Sequence, residues 1–415
     1  TDFKGGFTMY CRLIGLGAAG NKAAICAVEN NIMSVKQTML VNSTLKDIPA
    51  EYQNKEGAIV YQLFGAYGGC GKERQISYGL LEETLKRDVL NLDEFLNVGQ
   101  PDEAELVIIV ASTEGGTGSG SAPLIANYIR SVYGIAVHVF GIAGFEDDVR
   151  GMRNTVDFFK EMSAEFTVEC IKNSKFLSDC NGNKIKAEKK ANEEFCKKIS
   201  VLMGLQIRDS DHNIDPTDLL KLSTEEGYMI IETCVFDDKI KNREQFRQAV
   251  IDTFDKSKAL DVDTESISKL GVIMNVKPES TDYIDYRDVV VDRFGVPYET
   301  YEHIQSESTM PEFIAFICAG LKMPTDEVEA TYKNYEAAAN RVNRDNDSFF
   351  STIREKQIDP DDDAFNLKSK KEKTVDKNDF FKKNSGSSSV QQGKFSHTKV
   401  RMVSKDVSEG MTGDY

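Results

Sequence analysis

Residues that build metal centres, disulfide frameworks and membrane spans are scarce in this sequence. It has only four histidines and no H-E-x-x-H motif, and its eight cysteines include no C-x-x-C pair. We therefore predict no metal-ligating residues. No apolar run approaches the roughly 18 residues of a membrane-spanning helix, and the first residues lack the apolar segment of a signal peptide. These absences, with the scattered thiols, predict a protein of a reducing cytoplasm with no membrane partner.

Charge is unevenly distributed along the 415 residues, which carry a formal net charge of −16. Residues 366–405 contain eleven Lys and Arg against three Asp and Glu, so this stretch carries +8 and the rest of the chain −24. An acidic body of this kind predicts no direct binding of nucleic acid. We predict that residues 351–415 form a disordered charged tail, which either contacts a partner or is simply solvated.

Short β-branched runs alternate with longer amphipathic segments through the first half of the chain. This alternation predicts an α/β fold with a parallel sheet, whose ligand loops follow the carboxyl ends of the strands. The predicted strands cover residues 10–14, 38–41, 58–63, 106–111, 136–141 and 167–171, with helices over 74–96, 121–130, 150–162 and 187–204. Strands near 228–236, 270–276 and 313–319 and a helix over 325–349 indicate a second unit. We predict domains at 1–208, including the long central helix, and at 209–350.

The run Gly115-Gly116-Thr117-Gly118-Ser119-Gly120 follows the buried-strand pattern of residues 106–111. Glycines let a backbone approach an anion closely, and the N-terminus of the following helix attracts phosphate. The pattern therefore predicts a phosphate cradle. It is not a P-loop, and neither is the segment from Gly65 to Glu73, where the glycine spacing is one residue too long and Glu73 replaces the required Ser or Thr.

The segment Gly15-Leu16-Gly17-Ala18-Ala19-Gly20 matches the G-x-G-x-x-G fingerprint of dinucleotide-binding enzymes. Such enzymes place an acidic residue about 20 positions further on to hold the ribose. Residues 41–44 occupy that place here and contain no acid. A dinucleotide-dependent oxidoreductase is thus an alternative that only this fingerprint supports.

The GGTGSG run resembles the signature loop of the tubulin/FtsZ superfamily of GTPases, although Glu114 stands where that family usually has a small residue. Asn21 after the first glycine loop, residues 42–44 and the glycine-rich residues 65–74 match further family loops in order. Residues 65–74 most resemble the TubZ branch of phages and plasmids, but in isolation they are equally typical of a flexible surface loop. The resemblance implies that GTP or GDP, with Mg²⁺, is bound by Gly17, Ala18, Ala19, Gly20, Asn21, Asn42, Gly68, Gly69, Gly71, Lys72, Gly115, Gly116, Thr117, Gly118 and Ser119.

Four more residues match nucleotide contacts of that family. The resemblance implies that Glu146 holds the ribose and that Arg150 lies near the phosphates, although the pair is also typical of a helix-start ion pair. Asn173 and Asn192 match the asparagines that pair with guanine, since a carboxamide offers both a donor and an acceptor. Glu188 stands where FtsZ has an aromatic residue that stacks on the base.

The segment from Asn213 to Leu220 has two compatible interpretations. Asp215 is a good N-cap before a proline, and Asp218 supports the first helical turn. The pattern N-x-D-x-x-D also resembles the family's catalytic loop, which implies that Asn213, Asp215 and Asp218 reach the nucleotide of the next subunit.

The resemblance as a whole implies a GTPase that assembles head-to-tail with itself into dynamic filaments. A TubZ-like role would be the segregation or positioning of plasmid or phage DNA, with the tail binding a DNA-binding adaptor. The alternatives are an FtsZ-like division protein and a non-polymerising, nucleotide-gated binding module.

Overall fold

A computed structural model describes residues 9–162, 166–208, 210, 213–236, 242–262 and 266–347. The predicted tail, residues 351–415, lies outside the described residues, as does the end of the predicted helix over 325–349. Among the described residues, no helix combines the length and the apolar character needed to cross a membrane.

A ten-stranded sheet runs through the described part of the chain in the order β3-β2-β1-β4-β5-β6-β7-β10-β8-β9. Paired strands are parallel except at β10, which is antiparallel to both β7 and β8. The strands are β1 (Cys11–Leu16), β2 (Thr38–Asn42), β3 (Ile59–Gln62), β4 (Leu106–Ser112), β5 (Ala136–Ala143), β6 (Thr167–Lys172), β7 (Gly227–Val235), β8 (Lys269–Asn275), β9 (Glu299–Gln305) and β10 (Phe313–Leu321).

Helices connect these strands, as a mostly parallel sheet requires. They are α1 (Gly17–Glu29), α2 (Ala50–Gln53), α3 (Arg74–Lys86), α4 (Leu92–Phe95), α5 (Thr117–Tyr128), α6 (Val149–Glu161), α7 (Lys184–Leu202), α8 (Pro216–Ser223), α9 (Arg243–Asp255), α10 (Arg287–Phe294) and α11 (Thr325–Asp347). A π-helical turn, Ile129–Tyr133, extends α5.

The predicted strands are all present, and the mixed, mostly parallel α/β sheet confirms the predicted fold class. Strands β1 and β4 are buried along almost their whole length, which explains their uninterrupted apolar sequences. Strand β9 has no counterpart among the predictions, because its sequence, ETYEHIQ, is largely polar and it lies at an edge of the sheet.

Two helix predictions were wrong in their bounds. The predicted helix over 74–96 is divided into α3 and α4, because Asp88 and Asn91 adopt left-handed backbone conformations with φ of 54° and 46°. The predicted helix over 121–130 begins earlier, at Thr117, so most of the GGTGSG run forms the first turn of α5 rather than a loop before it.

The two predicted domains contribute to the same sheet. Strands β6 and β7 join them through only two paired positions, Thr167 with Gly227 and Val168 with Tyr228. The central helix α7 packs against α1 on one side and against β6 and β7 on the other. The boundaries at 208 and 350 stay predictions.

A buried ion cluster fastens α7 to this junction. Lys198 Nζ lies 3.0 Å from Oε1 of Glu169 and 3.0 Å from Oε1 of Glu232, and all three side chains are almost wholly buried. Ile231 N donates to Glu169 Oε1 and Ser257 Oγ donates to Glu232 Oε1. The cluster thus ties the central helix to strands from both predicted domains.

Candidate nucleotide site

The carboxyl ends of β1 and β4 lie side by side where the strand order of the sheet reverses. Ligands of open α/β sheets bind in the crevice at such a point. Helix α1 begins at Gly17, directly after β1, and α5 begins at Thr117, shortly after β4. Two helix N-termini therefore converge on one crevice, which favours an anion there.

The first glycine loop, Gly15 to Gly20, is in backbone contact with the GGTGSG run. Gly17 has a φ of +71°, and a Cβ placed there would lie 2.9 Å from Gly118 N. A Cβ at Gly118 would lie 3.0 Å from the carbonyl oxygen of Leu16, and one at Gly20 only 2.2 Å from that of Val110. Gly17, Gly20 and Gly118 are thus required for the close packing of α1, β4 and α5.

The GGTGSG run also packs against the glycine-rich residues 65–74, the third glycine loop. A Cβ at Gly116 would lie 2.9 Å from Lys72 Cα and 2.9 Å from Glu73 N, and one at Gly120 would lie 2.4 Å from the carbonyl oxygen of Arg74. The space that these two glycines leave is therefore filled by protein backbone.

A second set of glycines borders open space. Gly68, Gly69 and Gly71 have nothing within 4 Å of an added Cβ, and Gly115 has only the Ser112 side chain, at 3.9 Å. These glycines, rather than Gly116 and Gly118, leave room for a ligand beside the backbone. Sequence reasoning could not separate the two sets, since both are simply glycines in loops.

Buried hydroxyl groups join residues 42–44, the loop after β2, to the GGTGSG run. The hydroxyls of Ser43 and Thr117 lie 2.9 Å apart, and Ser77 Oγ donates to the Thr117 carbonyl oxygen. Ser119 is fully buried and its hydroxyl donates to the Gly115 carbonyl oxygen. Thr117 and Ser119 thus hold the loops in place through their side chains.

The two asparagines predicted in these loops are also buried. Asn21 Nδ2 donates to the Val41 carbonyl oxygen at 3.3 Å, and Asn42 accepts from Ser43 N and donates to Asp47. The half-buried Ala18 and Ala19 form the first turn of α1 beside them.

The loop between β5 and α6 reaches the third glycine loop. Arg150 lies 2.5 Å from Glu73, and its Nη1 donates to the Gly71 carbonyl oxygen at 3.4 Å. Lys72 forms an ion pair with Asp148, the N-cap of α6. The two cations expected near phosphate are therefore beside each other, each with an acidic partner.

Glu146 points in another direction. Its Oε1 lies 3.0 Å from Lys172 Nζ and accepts a 2.5 Å hydrogen bond from Thr331 on α11. Lys172 also pairs with Glu327 of α11 at 3.1 Å. Sequence reasoning missed this link, because it joins residues up to 185 positions apart.

Two further residues that sequence reasoning did not assign to the site arrange these loops. Asn154 Nδ2 on α6 donates to the carbonyl oxygens of Lys72 and Glu114, each at 3.0 Å. The Glu114 carboxylate accepts from Glu146 N at 3.0 Å, and burial raises its pKa. The unusual Glu114 thus fixes the loop that carries Glu146.

Among the described residues, Glu114, Asp147 and Asp148 form the one group of carboxylates with ligand atoms close enough to hold a metal ion. Glu114 accepts from Glu146 N, and the other two form ion pairs with Lys184 and Lys72. Mg²⁺ at nucleotide sites usually takes one or two carboxylates together with phosphate oxygens. Because all three carboxylates have partners in this structure, we assign none of them to Mg²⁺, which stays a prediction.

One of the asparagines predicted to read guanine follows β6, and the other lies on α7, which packs against the turn after β6. Asn173 follows β6, is 8% exposed, and has a buried Oδ1 without a hydrogen-bond partner in the described structure. Such an atom is costly unless a ligand or water satisfies it. Asn192 is half-buried on α7. Glu188, one turn earlier, pairs with Lys22 of α1 at 3.8 Å.

The three predicted catalytic residues lie far from this crevice. Asp215 caps α8 by accepting from Asp218 N at 2.8 Å, while the Asp218 side chain accepts from Asp215 N, and Asn213 bonds to the backbone of Ser210. Asp215 is exposed. Helix α8 packs on β10 and β8, which are four and five strands away from β4. At about 4.8 Å per strand, these two strands lie about 20 Å or more from β4.

Comparisons with known proteins agree with this architecture. No protein-family model matches the chain. It is 24% identical over 277 residues to the tubulin-like protein TubZ of Clostridium botulinum C phage, covering 66% of this chain and 70% of that protein. It is 23% identical over 281 residues to cell division protein FtsZ 1 of Methanocaldococcus jannaschii, covering 67% and 72%.

Solved structures of related proteins have the same fold. A GTPγS-form protofilament of Bacillus thuringiensis serovar israelensis TubZ superposes with a TM-score of 0.65 at 14% identity, covering 80% of this chain and 91% of that one. The GTPγS-bound protofilament of CetZ2 from Haloferax volcanii gives 0.63 at 18% identity, covering 80% and 100%. The chain therefore has the fold of these tubulin/FtsZ proteins and is similar in sequence to TubZ and FtsZ.

Proposed function

We propose that this protein hydrolyses GTP and assembles head-to-tail with itself, each catalytic site being completed by the next copy. The observation that carries the proposal is that α8, which Asp215 caps, packs on strands four and five places away from β4, a spacing of about 20 Å across the sheet. A group that orients an attacking water must be within hydrogen-bond reach of it. One chain therefore supplies the cradle and another supplies the acids.

The phosphates would lie against the open glycines Gly68, Gly69 and Gly115, where glycine backbone borders open space, and near the N-termini of α1 and α5. Lys72 and Arg150 are adjacent to these loops and would exchange their acidic partners for phosphate oxygens. Phosphoryl transfer to water depends on such charge neutralisation and on an oriented nucleophile. Asp215 and Asp218 of the neighbour would orient the water.

Guanine is the base that the site fits best. The unpartnered Oδ1 of Asn173 and the carboxamide of Asn192 can pair with its polar edge. A site built to satisfy such groups rejects a base that leaves them unpaired. We expect GTP to displace a labelled GTP probe where ATP and NAD at the same concentration do not; displacement by ATP would refute the base assignment.

Two substitutions at one position separate catalysis from capping. Asparagine caps a helix as well as aspartate does, whereas alanine loses about 1 kcal/mol. We expect Asp215→Asn and Asp215→Ala both to bind GTP, to assemble, and to lose hydrolysis by orders of magnitude, while only Asp215→Ala loses stability. Full activity in Asp215→Asn would mean that Asp215 serves the helix alone.

A mixing experiment tests the two-chain site directly. An Asp215→Asn chain keeps its cradle, and a Gly69→Val chain keeps its acids. Each alone should be inactive, and their mixture should recover GTP hydrolysis as assembly proceeds, measured as phosphate release. Hydrolysis by the unmixed protein should rise steeply above a critical concentration. Activity per chain that is independent of concentration would place the whole site in one chain.

For the cellular role, we propose positioning of plasmid or phage DNA in the cytoplasm, with residues 351–415 recruiting a DNA-binding adaptor. The support is the similarity to a phage TubZ and the basic character of residues 366–405. The similarity to archaeal FtsZ keeps a division role as the second candidate.

Electron microscopy with GTP would reveal filaments, and their absence would favour a non-polymerising, nucleotide-gated module. Capture of adaptors by the full chain but not by a chain ending at residue 350 tests the tail.

A further inference from the structure

Helix α11 is joined to the nucleotide crevice by a cluster of largely buried polar side chains. Lys172 Nζ lies 3.0 Å from Oε1 of Glu146 and 3.1 Å from Oε1 of Glu327. Thr331 is buried, and its hydroxyl donates to the same Glu146 oxygen at 2.5 Å. The backbone N–H of Asp261 donates to Oε2 of Glu327 at 2.6 Å. These residues come from four separate segments of the chain, so the cluster fixes how the segments lie relative to one another.

The contacts of this cluster continue to the phosphate end of the crevice. The backbone N–H of Glu146 donates to Oε1 of Glu114 at 3.0 Å. The carbonyl oxygen of Glu114 accepts from Asn154 Nδ2, which also donates to the carbonyl oxygen of Lys72. A continuous series of hydrogen bonds thus leads from Thr331 of α11 to the loop that carries Lys72, one of the two cations proposed to meet phosphate.

The cluster also supports the turn expected to read the base. Lys172 is the last residue of β6, and Asn173, whose buried Oδ1 has no hydrogen-bond partner in the described structure, follows it directly. In the same turn, Lys175 Nζ donates to the carbonyl oxygen of Ala259 at 2.6 Å and pairs with Asp261 at 3.1 Å. Since the backbone of Asp261 also anchors α11, the turn and the helix share one support.

The contact between Thr331 and Glu146 does more than attach α11 to the protein. Apolar side chains often hold buried elements as well as ion pairs do, because burying charges is itself costly. A hydroxyl that donates to a carboxylate at 2.5 Å is a short, charge-assisted hydrogen bond, which fixes the place of the accepting oxygen. Glu146 also has a left-handed φ of 56°, and such a conformation in a residue other than glycine persists where surrounding contacts hold it.

We propose that Thr331 is a positioning residue of the nucleotide site: from α11 it holds Glu146, and with it residues 144–150, in the arrangement that binds GTP. This inference rests on the proposed function. Loss of the hydroxyl would let the strained backbone at Glu146 relax, and the displacement would reach Lys72 through the hydrogen bonds described above. Because coupling between two parts of a protein is reciprocal, bound GTP should in turn hold α11 more firmly.

Two substitutions at Thr331 test the proposal in the full chain. Valine has nearly the shape of threonine but no hydroxyl, whereas serine keeps the hydroxyl. By titration calorimetry, we expect the Kd for GTP to rise about fivefold or more in Thr331→Val, and Thr331→Ser to bind GTP as the natural chain does. Glu329→Gln is the matched control, since Glu329 is exposed on the same helix and pairs with Lys333 at 3.7 Å.

The same titrations distinguish positioning from a role in folding alone. A positioning residue changes the Kd while each folded chain still binds one GTP. Fewer binding sites with an unchanged Kd in Thr331→Val would mean that the hydroxyl only stabilises the fold, and this result would overturn the proposal. A rise in Kd that Thr331→Ser shares equally, or that Glu329→Gln shares, would also overturn it.

Hydrogen exchange on the natural chain tests the reciprocal effect without any variant. Below the concentration at which the protein assembles, GTP should slow amide exchange in residues 325–335 of α11. Unchanged exchange there with GTP bound would refute the coupling and leave the proposed GTPase intact. A natural chain that binds no GTP would instead refute the proposed function itself, so the two failures are distinguished.

Discussion

Replacing Lys198 with methionine removes the cation that two buried carboxylates share. Its Nζ lies 3.0 Å from both Glu169 and Glu232, so these carboxylate oxygens are at most twice that distance apart. Methionine fills a similar volume but leaves two acids facing each other inside the protein. Breaking a buried ion pair from one side costs about 3–5 kcal/mol, and we expect a loss of this size in the free energy of unfolding at pH 8.

The loss should depend on pH in a definite direction. Burial raises the pKa of Glu169 from its ordinary 4.5 to about 7 even with Lys198 present. At a pH between 4.5 and 7, the Glu169 carboxyl holds a proton in the folded state and lacks it in the unfolded state. Glu169 therefore favours folding most at low pH and less as the pH rises through 7. Without Lys198 the carboxylates hold protons still more strongly. The loss in the free energy of unfolding caused by Lys198→Met should therefore be smaller at pH 5 than at pH 8.

Lys197→Met is the matched control. Lys197 is the next residue on α7, its side chain is 71% exposed, and its pair with Glu194 at 3.4 Å is a surface contact worth about 0–1 kcal/mol. Urea unfolding can be followed by circular dichroism at 222 nm, since the chain has no tryptophan for fluorescence. Equal losses for the two variants, or a deficit that does not shrink at pH 5, would refute the role given to the cluster.

Three further changes have definite expected outcomes. Gly116→Val should lower the free energy of unfolding by about 1–3 kcal/mol, because the new side chain overpacks against residues 65–74. Gly69→Ala should change the free energy of unfolding by no more than about 0.5 kcal/mol and still weaken GTP binding. Urea unfolding measures the first effect and nucleotide titration the second. Glu327→Gln, which loses a largely buried pair, should cost about 1–3 kcal/mol, and Glu329→Gln on the exposed face of the same helix should stay within about 0.5 kcal/mol; similar losses would contradict the link from α11 to the site. A chain ending at residue 350 should keep GTP binding and assembly, and loss of the folded protein would place the domain boundary elsewhere.

Local sequence was sufficient for every strand except the polar edge strand β9, and for the order of the loops. Buried parallel strands leave uninterrupted apolar runs, as in residues 106–111, and glycine clusters follow them where close backbone approach is needed. The bounds of helices were less predictable. Left-handed residues at Asp88 and Asn91 divide a segment whose amphipathic pattern continues through the break.

The places of the glycine loops after the strands were predictable, whereas the contacts of the side chains around them were not. Asn154, Glu114 and Lys172 arrange the loops through hydrogen bonds and ion pairs between distant parts of the chain, and no motif marks them. Glu146 illustrates the limit: its place in the loop follows from the sequence, but the direction of its side chain depends on Thr331 of α11.

The sequence by itself determined that two glycine-rich segments follow two buried strands and that an acidic cap begins α8. Backbone freedom and capping are local properties, so residue type and spacing carry them. Only the tertiary structure decided which glycines border open space and which pack on protein backbone, and only it placed the helix that Asp215 caps on strands four and five places away from β4. These are properties of strand order and of long-range packing, which bring together or keep apart residues that no local pattern relates.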